Sequence, residues 1–108
     1  MTVEQTRKVD FVGVDGSTGR VVLTITDHLP WHSDDHLLML QDKLNSYLAF
    51  IESGELVSQY PDASGRVAEI AVVFLHPPSA RGIDFLHRAS ARIKSAGIEF
   101  SHQTADGL

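Results

Sequence analysis

The sequence predicts an α+β fold: a two-layer sandwich in which one mixed sheet of four or five strands carries two helices on one face, in the order β-β-α-(β)-β-α-β. Three observations lead there. Runs rich in valine, isoleucine and threonine flank glycine and aspartate near the start of the chain. Two longer segments, Ser33 to Gly54 and Pro77 to Gly97, repeat apolar residues at helical spacing. Each has a single apolar stripe, so each needs only one covering surface, which places both helices on the same side of the sheet.

The first two strands are read from "KVDFVGV" and "RVVLTIT", joined through "DGSTG". Two β-rich runs around an Asp-Gly turn form a hairpin, here with a loop longer than two residues. Alternation puts Val21, Leu23 and Ile25 on one face of the second strand, and Val22, Thr24 and Thr26 on the other.

The first helix is "SDDHLLMLQDKLNSYLAFIESG". Ser33 is a suitable N-cap, Asp34 and Asp35 place negative charge in the first turn, and Gly54 stands where a helix ends. At about 100° per residue, Leu37, Leu40, Leu44, Tyr47, Leu48 and Ile51 form the core stripe. Met39 and Phe50 fall off it, beside Lys43.

In "ELVSQYPDASGRVAEIAVVFL", Val67 to Leu75 is apolar or small on both faces, as suits a central strand. Leu56 to Tyr60 reads either as a short edge strand or as irregular chain. In "HPPSARGIDFLHRASARIKSAG" the prolines stiffen a helix start. Ser79 caps that helix, or else the prolines occupy its first turn. Phe85, Leu86, Ala89 and Ile93 make the inner face, Gly97 closes the helix, and "IEFSH" is a final strand. These elements make one domain over residues 8–102, with loose ends at 1–7 and 103–108.

The totals exclude several functions. With 108 residues and 43% hydrophobic content the chain supports one core without staples. It has no cysteine, which rules out thiol catalysis and cysteine-based zinc sites and fits a reducing compartment. A formal net charge of −5 without a basic tract argues against nucleic acid and membrane surfaces as partners. No secretory signal and no bilayer-spanning run are seen, so a cytoplasmic setting is expected.

The densest chemistry lies in "TDHLPWHSDDHL". His28, His32 and His36 with Asp35 have the residue types of a zinc site, and Trp31 stands among them. Several features weigh against that reading. If Ser33 is the cap, His32 lies outside the helix and the His32/His36 spacing loses its fixed geometry. No Glu stands between the two histidines, as a metalloprotease helix requires, and no glycine-rich elbow surrounds Ser33. The segment is therefore expected to be a strand-to-helix junction with surface histidines and with Trp31 on the rim of the core. No catalytic residue, metal ligand or cofactor is assigned. Arg81, Arg88 and Arg92 line one side of the second helix, with Asp84 placed to pair with Arg88. If Val21, Leu23 and Ile25 face the helices, then Val12, Val14 and Val22 line the opposite face of the sheet. With Met39 and Phe50 they form a candidate interface.

The stretches "VDFVGVD", "VVLTITDHLPW", "HLLMLQDKLNSYLAFIESGEL", "VVFLHPP" and "GIEF", across about residues 9–102, resemble a bacterial family of small proteins classed as a domain of unknown function. The resemblance implies this fold and a cytoplasmic setting, and carries no functional residue across. The reading that follows is a non-catalytic binding or assembly module, expected as a homodimer. Two alternatives stand beside it: a small metal-binding protein or hydrolase using His28, His32 and His36, and an immunity-type or regulatory partner of another protein.

Overall fold

The computed structural model describes residues 11–28, 31 and 34–105. Two strands, β1 (Phe11–Val14) and β2 (Val21–Asp27), form the expected hairpin and pair antiparallel. Its loop is pinned by Asp15, whose carboxylate accepts from the Ser17 amide and hydroxyl, both at 2.8 Å. A long helix, α1 (Asp34–Glu52), follows, and then β3 (Ala68–Phe74), α3 (Ala80–Ser95) and β4 (Glu99–Thr104).

The segment left open between strand and irregular chain is neither. Leu56 begins no strand: α2 (Glu55–Gln59) and a short 3₁₀ turn (Pro61–Ala63) occupy it. Gly54 ends α1 in the left-handed region at φ 89°, and the reversal drops Leu56 and Ala63 into the core. The sheet therefore has four strands, in the order β1-β2-β3-β4, and is mixed because β2, β3 and β4 run parallel.

This topology explains the layering. Both parallel connections step the same way along the sheet, so crossovers of one hand lay α1 and α3 on the same face. The core lies there. It joins Val21, Leu23 and Ile25 of β2 and Ile70, Val72 and Phe74 of β3 to Leu40, Leu44, Tyr47 and Leu48 of α1 and Leu86 and Ile93 of α3. Leu37 and Ile51, the first and last residues of the expected α1 stripe, are half-buried. Ser79 caps α3, its hydroxyl accepting from the Gly82 amide at 3.1 Å. Gly97 ends the helix at φ 81°. The last strand continues to Thr104, past residue 102 where the domain was expected to close, and Ala105 donates to the Phe74 carbonyl at 2.7 Å. Of the expected loose ends 1–7 and 103–108, residues 103 and 104 belong to this strand, and residues 1–7 and 106–108 lie outside the described residues.

One expectation about the sheet is corrected. Val12 pairs with Leu23, and Val14 with Val21. Directly opposite residues of an antiparallel pair point to the same side, so Val12 and Val14 lie on the helix side of β1 and not on the far face. Val12 packs against the core and Val14 is exposed at the edge. The far face includes Gly13 of β1, Val22, Thr24 and Thr26 of β2, Ala71 and Val73 of β3, and Glu99, Ser101 and Gln103 of β4. Glu69 sits at one end of that face, where Arg20 donates to it at 3.0 Å and Ser101 bonds its other oxygen at 3.0 Å.

Candidate functional site

The carboxyl ends of the three parallel strands gather most of the buried polar chemistry among the described residues. Open α/β sheets commonly bind ligands at this end, because both helices start there and the loops converge. Asp27 closes β2 and is buried by its register opposite Phe74. Its backbone carbonyl accepts from the Leu75 amide at 2.8 Å. Its side chain turns toward α1 and meets His36, with Nε2 and Oδ2 2.5 Å apart. Both side chains are removed from water, at 1% and 0% exposure.

His36 is therefore not the surface residue expected from the sequence. The third residue of α1, it lies on the edge of the core stripe, within about 40° of Leu40 on the helical wheel. Its other ring nitrogen, Nδ1, is buried and makes no hydrogen bond. An unsatisfied buried polar atom of this kind is uncommon in native folds.

Trp31 closes the site. Its ring lies 4.1 Å from that of His36 and 5.2 Å from Phe74, centre to centre. The indole N–H donates to the His76 carbonyl at 3.1 Å, tying the β2–α1 connection to the β3–α3 connection. The indole rests on Gly82 of α3, where a Cβ would stand 2.6 Å from the ring. No side chain larger than hydrogen fits there while the indole stays in place. Trp31 on the rim of the core matches the sequence reading, but the glycine that seats it was not singled out.

The other candidates spread apart. His28 is exposed just past β2, and Asp35 is exposed in the first turn of α1. His32 and the expected cap Ser33 lie outside the described residues. Among the described residues, no three His, Cys, Asp or Glu side chains gather closely enough to hold a metal ion. Met39 is exposed, while Phe50 is half-buried and packs against the core. Val22 alone of the five interface candidates lies clearly on the far face.

Sequence reasoning also missed Lys43. It is fully buried, with Nζ 5.3 Å from the centre of the Tyr47 ring, while the Tyr47 hydroxyl donates to the Thr24 carbonyl at 3.3 Å. On the helical wheel, Lys43 and His36 flank the same edge of the apolar stripe. That adjacency is the signal that could have marked both.

The titration of Asp15 and of His102 is shifted by their surroundings. Hydrogen bonds from Ser17 hold the Asp15 carboxyl below the usual carboxylate range. His102 of β4 packs its ring against Phe74 and Phe100, at 6.1 and 6.0 Å between centres. Loss of water on that side, and secondarily the neighbouring His87, lower its pKa below that of an ordinary imidazole.

Chemically, the Asp27–His36 pair has the make-up of a general-base dyad but no access, because the indole covers the ring and the strand covers the carboxyl. It is built as a latch between β2 and α1. A family model described as a family of unknown function (DUF6572) matches residues 1–106, which includes the whole stretch over which the sequence resemblance was drawn. No curated protein and no solved structure matches the chain.

Proposed function

We propose, for a chain that belongs to the family of unknown function DUF6572, a role as a non-catalytic binding and assembly module that forms a homodimer through the open face of its sheet. One observation carries this reading. Three of the four strands are parallel, and no helix among the described residues covers their second face. Parallel sheets are almost always covered on both sides, because crossover helices normally supply two layers. Here both crossovers fall on one side, and Val22, Ala71 and Val73 are left only half-buried in the middle of the other.

A second copy suits that face better than an unrelated partner. Its centre is apolar and β-branched, with Thr24 and Thr26 beside it. The Arg20–Glu69 pair is neutralised within the chain, at one end of the strands. Glu99 lies beside Glu69 at that same end, so the centre of the face carries no charged side chain and two acidic chains can meet over it.

Sedimentation velocity of the purified chain at micromolar concentration tests the reading. A species of twice the 11.9 kDa chain mass is expected. A single 11.9 kDa species across the concentration range refutes it.

A further inference from the structure

On the opposite side of the molecule, α1 and α3 diverge enough to leave an open groove of about 560 Å³ between their outer faces. Its floor is apolar, made by Leu37, Leu44 and Leu48 of α1 and by Phe85 and Ile93 of α3. One wall carries Arg81, Arg88 and Arg92, and the other carries the neutral amides of Gln41 and Asn45. Leu38, 57% exposed, extends the apolar surface onto the rim.

On a helix rising about 1.5 Å per residue, the backbone positions of Arg81, Arg88 and Arg92 stand about 10 Å and about 6 Å apart along one side of α3. A row of guanidinium groups, two turns and then one turn apart, matches a row of carboxylates repeating at helical spacing. Arg88 is paired with Asp84 at 2.9 Å, but that pair is 73% and 69% exposed and yields easily to a competing carboxylate. Arg92 has no acidic partner among the described residues. A chain of net charge −5 thus concentrates three of its nine basic residues along one apolar groove.

We propose that this groove docks an acidic amphipathic helix of a partner protein. The helix would lay its leucine-type face on the floor and its Asp or Glu side chains along the arginine wall, as a third helix on that layer. The site is independent of the sheet face assigned to self-association.

The test uses fluorescence anisotropy with a labelled helix-forming peptide of about 16 residues, long enough to hold a helix on binding. It carries leucines at helical spacing and a flanking row of glutamates. Saturable binding is expected, weakening as salt rises. A peptide with lysine in place of each glutamate should bind at least about tenfold more weakly, as should the wild-type peptide to the Arg88→Glu/Arg92→Glu double variant. Both substitutions lie on an exposed helix face, and an unchanged circular dichroism melt shows that the variant is folded. Val73→Glu, on the far face, should leave peptide affinity unchanged, which separates this site from the dimer surface. Any of four results overturns the proposal: no saturation up to millimolar peptide, equal binding of the lysine peptide, equal binding by the double variant, or arginine-dependent binding to phosphatidylglycerol vesicles in place of the peptide.

Discussion

Asp27 and His36, nine residues apart, bond across the junction of β2 and α1 with both side chains sealed from water. The bond fixes where the helix leaves the strand, and Trp31 is stacked on it from outside. Separate replacement of either residue by alanine should destabilise the fold. The Asp27→Ala/His36→Ala double variant should lose less than the sum, with a coupling of about 1–3 kcal/mol. Urea denaturation of the four proteins measures it, and additive losses would show that the pair does not act as a unit.

Gly82→Ala tests the seat of Trp31. A methyl group 2.6 Å from the indole forces the ring outward. Overpacking of this kind costs about 1–3 kcal/mol. Trp31 is the sole tryptophan, so intrinsic fluorescence reads its surroundings directly. A red-shifted emission maximum is expected in the variant, and an unmoved maximum would place the indole elsewhere.

Core and rim of α1 should separate cleanly. Leu44, 3% exposed, should cost about 2–5 kcal/mol on replacement by alanine. Met39→Ser, at an exposed position, should cost a few tenths of a kcal/mol, about what surface substitutions do. Equal thermal shifts for the two would contradict the helix orientation.

His102 gives a pH dependence whose sign follows from its shift. Its folded-state pKa is depressed, so below the ordinary imidazole value of about 6.5 the unfolded chain binds the proton more tightly. Its contribution is fully present above that value and is lost as pH falls through the lower folded pKa. Denaturation midpoints of wild type and His102→Gln, followed from neutral to mildly acidic pH, should therefore diverge in slope, with the wild type losing more. Parallel curves would remove His102 as a cause.

Much of the fold was legible because it is periodic. The apolar stripes of α1 and α3 were read from spacing and the glycines at 54 and 97 from residue type, while Ser79 was one of two readings of the α3 start and proves to be its cap. Other features were not legible. Five-residue α2 is too short to show a helical period. The hairpin register depends on how many residues the Asp15–Arg20 loop spends in turning, so the side taken by Val12 and Val14 was misjudged. The candidate site failed most, since His36 and Lys43 look solvated in a sequence: polar residues at a stripe's edge carry no mark of burial until a strand such as β2 is laid beside them. The arginine row was visible on one helix, but a groove needs its second wall, and only tertiary packing supplies that.

The open sheet face is tested most directly by placing a charge at its centre. Val73 is half-buried there, and Val73→Glu leaves the helix-side core untouched. Sedimentation velocity of this variant beside the wild type, with circular dichroism to show that both are folded, is the measurement. The expected result is a dimeric wild type and a monomeric, folded Val73→Glu. A folded variant that sediments as a dimer with wild-type affinity would contradict the account.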